Sequence, residues 1–273
     1  MTRSIRRIAE IFLGPLQVQR RLPLSAGSGR LLASARVGGL KYLFRRADLL
    51  DPELLRMAKF LVNKGDVVWD IGTNVGLFSV AAAASAGSSG RVISVEADID
   101  AVALLNRTSQ LRSAEHAEMT VLPVAVGATN GFVKFAIALR ARASNAIQGY
   151  GSTQMGGVSE VRVLPCITLD TLLQHFPRPQ VLKIDVEGAE CEVLRGAKRL
   201  LTEVRPVIYC EVAGNSSNEV TAIFRAHQYK LWDGASFDGQ FVDELSQATN
   251  NTVAFPEEKT GSSSHPTAYE RSK

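Results

Sequence analysis

A glycine turn directly behind an acid is the first feature of the sequence that could do chemistry. The segment VVWDIGTNVGLFSVAAAA, residues 67–84, contains the turn Asp70-x-Gly72-x-x-x-Gly76 between an apolar run and a run of small residues. Glycines let a backbone turn sharply and approach a ligand closely. The spacing differs from the GxGxxG turn that places a pyrophosphate at a helix N-terminus. A carboxylate at this point favours a ligand that carries positive charge or N–H donors.

A second acid lies where a carboxylate can accept ribose hydroxyls. Glu96 ends the next apolar run, VISVEAD, at the offset of about twenty residues that is typical of a ribose ligand. Ribose occurs both in NAD and in S-adenosylmethionine, and Glu96 alone is equally compatible with a solvated acid at a strand end. S-adenosylmethionine also carries a sulfonium and an ammonium group, which suit Asp70. The two acids together therefore predict S-adenosylmethionine as the cofactor, and the missing GxGxxG turn argues against an NAD-dependent dehydrogenase.

Two further acids close later strand-like runs. Asp185 lies in VLKIDVEGAECEVLRGAKRLL and Glu211 in VIYCEV. Ligands of open α/β sheets bind beyond the carboxyl ends of the strands, so we expect both carboxyl groups to face one crevice. Asp185 is the first candidate for a general base and Glu211 the second. A divalent ion held by these two carboxylates is an alternative, although the sequence shows no metal-ligand motif. Glu190, at the start of a helix, is interpreted as complementing the helix dipole.

Strand-like and helix-like segments alternate from residue 51 to residue 256. Asp51 and Pro52 predict the N-cap and first residue of a helix that Gly65 would stop. The runs MTVLPVAVG and AECEVLRGAKRLLTEV predict one strand and one helix, respectively. Strands separated by helices imply parallel βαβ crossovers and hence an α/β fold.

The alternation is interrupted at about residues 131–164. Two strand-like runs, GFVKFAIAL and SEVRVLPC, enclose a long stretch rich in Gly, Ser and Ala. Long ordered loops in compact domains are often lids or binding loops, and disorder is the alternative. As a lid, this segment would offer four polar side chains that suit hydroxyl groups, those of Ser144, Asn145, Gln148 and Tyr150.

Charge and cysteine content indicate how the terminal segments behave and in which cellular compartment the protein is expected. The chain of 273 residues has a net charge of +4, and the basic excess is concentrated in residues 1–50, which predict a basic N-terminal arm or cap. Such a segment suits a solvated arm, a nucleic acid, or weak contact with an anionic membrane surface. Residues 257–273 lack apolar periodicity and predict a disordered tail. Three cysteines without metal spacing and no apolar run of about twenty residues favour a reduced, cytoplasmic protein without a transmembrane segment.

These segments resemble the FkbM family of S-adenosylmethionine-dependent methyltransferases. The resemblance runs from about Asp51 to Pro256, and it is strongest in GDVVWDIGTNVGLFS, VISVEAD, ITLDTLL and VLKIDVEGAECEVLRGAKRLL. It implies a class I methyltransferase, Rossmann-like fold. That fold has a seven-stranded, mostly parallel sheet with helices on both faces, and its last strand is antiparallel.

The resemblance also implies an activity and a set of binding residues. The activity is O-methylation of a hydroxyl group on a sugar, glycan or secondary metabolite. The positions that match cofactor-binding positions of the family are Asp70, Gly72, Asn74, Gly76, Glu96, Ala125 and Asp185. Two alternatives stay open, a nucleic-acid methyltransferase and a non-catalytic cofactor-binding protein of the same fold. The sequence has no stretch of alternating aromatic and basic residues that would support a nucleic-acid methyltransferase. The intact acids and glycines argue against a non-catalytic protein.

Overall fold

The computed structural model of the chain describes residues 16–34, 37, 42, 50–138, 145–150 and 157–260. The strands are β1 (Gln17–Arg21), β2 (Arg30–Ser34), β3 (Val67–Ile71), β4 (Arg91–Val95), β5 (Glu118–Leu122), β6 (Ala125–Val126), β7 (Gly131–Ala138), β8 (Ala146–Ile147), β9 (Val158–Ile167), β10 (Val181–Ile184), β11 (Val207–Glu211), β12 (Tyr229–Asp233) and β13 (Asn251–Pro256). The α-helices are α1 (Pro52–Leu61), α2 (Leu77–Ala86), α3 (Ile99–Ser109), α4 (Leu169–His175), α5 (Glu190–Arg195) and α6 (Ser217–Ala226).

One large mixed sheet organises the described part of the chain. Its seven strands follow the order β12-β13-β11-β10-β3-β4-β5. The five strands from β11 to β5 are parallel, whereas β13, the last strand, pairs antiparallel with both β11 and β12. The chain order reverses at β3, which lies between β10 and β4, so a ligand crevice is expected beyond the end of β3. The predicted class I methyltransferase fold is confirmed.

The sheet buries apolar side chains on both of its faces. Successive strand residues point to opposite faces, and Val68 and Trp69 of β3 accordingly belong to two separate buried clusters. Helix α1 begins as predicted, because the Asp51 carboxylate accepts a hydrogen bond from the Leu54 N–H at 3.1 Å and Pro52 occupies the first turn. The helix ends at Leu61, before the predicted stop at Gly65.

Two predicted elements are divided in the structure. The run MTVLPVAVG forms β5 in the large sheet and β6 in a second sheet, because Pro123 has no N–H to continue a ladder. The run AECEVLRGAKRLLTEV forms α5 and a π-helical turn, Leu200–Val204, on either side of Gly196. A Cβ on Gly196 would lie 2.2 Å from the Gly127 carbonyl oxygen, so close backbone packing requires a glycine at this break.

A second sheet, here called the insert sheet, interrupts the alternation. It contains four strands of the described residues in the order β6-β9-β7-β8. The two predicted strands, β7 and β9, pair antiparallel, and β8 adds to β7 inside the segment that was predicted as a long loop. Ser144 lies outside the described residues. Because β6 pairs with β9 directly after β5, the insert sheet is attached at the β5 end of the large sheet.

The N-terminal segment packs onto the domain where the structure describes it. Strands β1 and β2 form an antiparallel hairpin whose Leu31 and Ala33 are fully buried. The Leu32 N–H donates to the Thr108 hydroxyl at 3.0 Å, so the hairpin is fastened to α3. These residues are therefore part of the core, in contrast to a solvated arm.

The first residues of the predicted C-terminal tail are structured. A 3₁₀ turn over Glu257–Lys259 follows β13, and Glu258 pairs with Arg205 at 2.7 Å. The described structure thus continues to Thr260, and residues 261–273 lie outside it. The three cysteines are unpaired and buried. In the described ranges, no helix combines the length and apolar character needed to cross a membrane.

Candidate active site

A cleft lies beyond the carboxyl ends of the five parallel strands. Its lining residues come from the turns after these strands, from the N-terminal region and from the insert sheet. Neighbouring strands lie about 4.8 Å apart, so four intervals separate β11 from β5 by about 19 Å. Glu211 at the end of β11 and Ala125 after β5 therefore mark opposite ends of the cleft, here called the Glu211 end and the Ala125 end.

The glycine turn after β3 forms the middle of the cleft floor. Gly72 and Asn74 both line the cleft and both have positive φ, +77° and +53°. A Cβ on Gly72 would lie 1.7 Å from the Asp185 carbonyl oxygen, so the turns after β3 and β10 can be this close only with glycine here. Gly76, at φ +87°, is the N-cap of α2 and is not a cleft-lining residue.

Asp70 lies beneath the turn and does not face the cleft. Its side chain is completely buried, and its carboxylate accepts a hydrogen bond from the Ser79 hydroxyl at 2.7 Å. Burial raises the pKa of Asp70, while the nearby Lys183 ammonium opposes this shift. Asp70 therefore braces the start of α2 and the floor of the cleft. The expectation that it contacts a cationic ligand directly is revised on this geometry.

Glu96 lines the cleft at the end of β4 and is held by two backbone donors. One carboxylate oxygen accepts from the Asn74 N–H at 2.8 Å and the other from the Asp98 N–H at 2.7 Å. Burial raises the pKa of Glu96 to about 7, and these two hydrogen bonds limit the rise. The bonds fix the plane of the carboxyl group, which leaves its remaining lone pairs available to hydroxyl donors of a ligand.

A buried lysine links the acids below and inside the cleft. The Lys183 ammonium, 3% exposed, lies 2.9 Å from an Asp185 oxygen and 3.7 Å from an Asp70 oxygen. Lys183 and Asp70 are directly paired in register across β10 and β3, which explains their proximity. Burial opposes the charge of Lys183, but the carboxylates of Asp185 and Asp70 outweigh this effect and raise the pKa of its ammonium group.

Glu211 is a cleft-lining carboxyl group whose pKa is raised far above its usual value. Burial raises its pKa to about 8, and the charge of Asp185 adds to the rise, whereas Lys183 opposes it. Asp51 and Glu187 also contribute to the rise, so they lie near the same end. A carboxyl group that titrates near neutral pH can take up a proton from a substrate at physiological pH.

The structure brings some predicted residues together and separates others. Six of the predicted residues line the cleft, namely Gly72, Asn74, Glu96, Ala125, Asp185 and Glu211, and Glu187 lines it beside them. Of the three described polar residues of the predicted lid, only Asn145 lines it. Gln148 and Tyr150 are exposed outside it.

Three residues at the site did not stand out in the sequence analysis. Lys183 could have been noticed as a lysine inside the apolar strand run VLKIDV, and Asp98 as an N-cap before α3. Tyr42, buried at the Glu211 end, has no local signal. Within the described ranges, no group of three or more His, Cys, Asp or Glu side chains could hold a metal ion.

Comparison with known proteins adds an independent line of evidence. Residues 70–231, more than half of the chain, match the family described as Methyltransferase FkbM domain. The hexuronic acid methyltransferase AglP of Haloferax volcanii is 27% identical over 209 residues, which cover 74% of this chain and 80% of that protein.

Solved methyltransferase structures also resemble the chain. A methyltransferase FkbM from Methylobacillus flagellatus aligns with a TM-score of 0.45 and 14% identity over 77% of this chain and 54% of that one. A precorrin-6y C5,15-methyltransferase from Geobacter metallireducens aligns with a TM-score of 0.44 and 15% identity over 81% and 95%.

Proposed function

The chain belongs to the FkbM methyltransferase family, and we propose that it transfers the methyl group of S-adenosylmethionine to a hydroxyl group of a sugar or glycan. The relative from Haloferax volcanii acts on a hexuronic acid, which supports a sugar acceptor. The observation that carries the proposal is the single cleft that holds both Glu96, a fixed acceptor for ribose hydroxyls, and Glu211, a carboxyl group poised to take a proton.

The residues of the cleft suit this cofactor chemically. Glu96 offers carboxylate lone pairs beside the glycine turn, where two ribose hydroxyls would find acceptors. Asp185 and Glu187 supply negative charge in the middle of the cleft, which favours a ligand with a sulfonium and an ammonium group. When bound, S-adenosylmethionine supplies an activated methyl group on an excellent leaving group.

The protein's own residues then have two tasks, alignment of the acceptor and removal of its proton. The bound cofactor would supply the methyl group and leave as a neutral sulfide, and Glu211 would take up the hydroxyl proton of the acceptor. We assign the general base to Glu211 rather than to Asp185, because one Asp185 oxygen already accepts a hydrogen bond from Lys183. Among the described residues, no hydrogen bond occupies the Glu211 carboxyl group. Asp185 instead orients the acceptor and contributes charge.

The proposal is tested by following the methyl group. The purified chain is incubated with S-adenosylmethionine that carries a deuterated methyl group, together with glucuronic acid, neutral hexoses and oligosaccharides in separate reactions. Mass spectrometry should detect a methylated sugar together with S-adenosylhomocysteine. A panel that includes RNA and DNA separates this activity from nucleic-acid methylation.

Cofactor binding is tested separately by calorimetry. Glu96→Ala should weaken S-adenosylmethionine binding, because the ribose acceptor is lost. Glu118→Ala, an exposed glutamate on β5, is the matched control and should bind as the wild type does. A wild-type protein that is folded and binds no S-adenosylmethionine would contradict the proposed function.

A further inference from the structure

The described residues of the insert sheet contact one end of the cleft. Phe135, Asn145 and Ile147 are its contributions to the lining, apart from the β6 residues. Phe135 and Ile147 are directly paired across β7 and β8, and Phe135 is buried. The Asn145 side chain donates to Asp98, just beyond the end of β4, and β6 joins the insert sheet directly after β5, so these side chains lie towards the Ala125 end. The buried Tyr42 hydroxyl feels the charges of Asp51 and Glu211, so Tyr42 and Asp51 of the N-terminal region line the Glu211 end.

Three polar side chains fasten the insert sheet to the large sheet. The Asn145 amide N–H donates to one Asp98 oxygen at 2.8 Å, and Arg162 pairs with the other at 3.3 Å. The side-chain oxygen of Asn145 accepts a hydrogen bond from the Ala138 N–H at 2.8 Å, so both the nitrogen and the oxygen of this side-chain amide are held. Asp98 is 3% exposed and follows Glu96 by two residues. We call Asp98, Asn145 and Arg162 the latch.

The next step rests on the proposed function: if the cleft binds S-adenosylmethionine, the position of Glu96 determines the orientation of the cofactor. Glu96 would accept the ribose hydroxyls, so the base of the nucleoside lies on the side of Glu96 away from Asp185, towards Ala125. There Ala101, Val124, Phe135 and Ile147 present apolar surfaces that suit the faces of a purine ring. We propose that the insert sheet, held by the latch, is the wall of the nucleoside subsite, and that the acceptor is recognised at the Glu211 end by Tyr42 and Asp51.

This assignment reverses the expected role of the insert. As a lid for sugar hydroxyls, the insert would govern acceptor turnover and leave cofactor affinity intact. As a nucleoside wall, it governs cofactor affinity. Asn145 and Arg162 are then positioning residues, because they act through Asp98 and the backbone of β7, whereas Ile147 lines the subsite itself.

The test compares two ligands that share the nucleoside half. Calorimetric or displacement titrations use S-adenosylhomocysteine and 5′-methylthioadenosine, which lacks the amino-acid half. Asn145→Asp keeps the acceptor for the Ala138 N–H but places a carboxylate against Asp98, while Ile147→Ala shortens one apolar side chain. Gln148→Ala, exposed on the same insert, is the matched control.

We expect Asn145→Asp to weaken both ligands by the same factor, about tenfold or more, since a buried polar contact is lost. Ile147→Ala should weaken both by a smaller common factor, which keeps the test valid if the Asp98 repulsion unfolds the first variant. Gln148→Ala should leave both affinities unchanged. Unchanged affinities in folded Asn145→Asp and Ile147→Ala, or a loss confined to S-adenosylhomocysteine, would overturn the assignment.

The role of the Glu211 end is tested by a separate kinetic measurement. Tyr42→Phe should raise the acceptor KM while the affinity for S-adenosylhomocysteine stays constant, and the opposite pattern would place Tyr42 in the cofactor subsite. A wild-type chain that binds neither nucleoside ligand would refute the proposed function itself. Failure of the insert assignment alone appears only in the variants, so the two failures are distinguishable.

Discussion

The pH dependence of catalysis follows from the surroundings of Glu211. Burial and the charge of Asp185 raise the pKa of Glu211 to about 8 from a usual value near 4.5. A general base works only in its ionised form, and at pH 7 about one tenth of such carboxyl groups are ionised. The turnover number should therefore rise about tenfold between pH 7 and pH 9, with an ascending limb near pH 8.

Substitution of Glu211 separates this effect from other titrations. Glu211→Gln keeps the shape of the side chain but cannot accept the proton, so we expect turnover to fall by about 10²- to 10⁴-fold. The ascending limb should disappear from the remaining activity. The affinity for S-adenosylmethionine, measured by calorimetry, should stay within a few-fold of the wild type, because Glu211 lies at the end of the cleft away from Glu96.

Asp185→Asn distinguishes the two candidate bases. The Asp185 charge raises the pKa of Glu211, so its removal should move the ascending limb to lower pH while the limb itself persists. Steady-state rates across pH 5.5–9.5 with a saturating acceptor provide the measurement. If Asp185→Asn abolishes the limb and Glu211→Gln retains it, Asp185 is the base and the assignment to Glu211 is refuted.

Three further predictions concern stability and are measured by denaturant unfolding. The pKa of Glu211 is raised in the folded state, so its contribution to stability is fully present below the unfolded value near 4.5 and is lost progressively as pH rises to about 8. The stability of Glu211→Gln relative to the wild type should therefore increase across this pH window and stay constant above it. Lys183→Met leaves buried Asp70 without its cation and should cost about 3–5 kcal/mol, which Asp70→Asn should partly restore. Thr108→Val leaves the Leu32 N–H without an acceptor and should cost about 1–3 kcal/mol; an unchanged free energy of unfolding would show that the hairpin is not held by this bond.

The parallel βαβ units and the acids at the ends of their strands could be predicted from local signals. The alternation of apolar runs with helical patterns specified βαβ units, and the glycine turn marked the first strand end. Glu96, Asp185 and Glu211 could be placed at one edge because parallel strands all end on the same side. Asp51 could be assigned as an N-cap because its side chain and Pro52 suit the first turn of a helix.

The direction of a side chain at a strand end could not be predicted in the same way. Asp70 precedes the last residue of β3, and the pleat turns it towards Ser79 and away from the cleft. Its pairing with Lys183 depends on the register between β3 and β10, residues more than a hundred positions apart. Neither spacing nor composition carries that information, so the sequence indicated a ligand contact where the structure has a buried support.

The insert could be located in the sequence, but its attachment could not. Its two long strands were recognisable from their apolar alternation, whereas the pairing of β6 with β9 is a contact between distant segments. That pairing decides which end of the cleft the insert reaches. A loop rich in Gly, Ser and Ala is equally compatible with an acceptor lid and with a wall behind the nucleoside, so only the latch contacts distinguish them.

The charges below the cleft explain how one site can both hold a cationic cofactor and receive a proton. Lys183 lies between Asp70 and Asp185, so its single positive charge is shared with the buried support and does not reach Glu211 by direct contact. The remaining negative charge of Asp185 favours a sulfonium nearby, and the same charge makes a second ionised carboxylate at Glu211 costly. Glu211 therefore gains affinity for a proton from Asp185, the same group that attracts the methyl donor.

The charge of the cofactor should in turn change the pKa of Glu211. A cationic cofactor in the cleft should lower this pKa, and conversion of that cofactor to neutral-sulfur S-adenosylhomocysteine should raise it again. Glu211 is thus more often ionised, and able to deprotonate the acceptor, while the methyl donor is bound. After methyl transfer its higher pKa favours the protonated form.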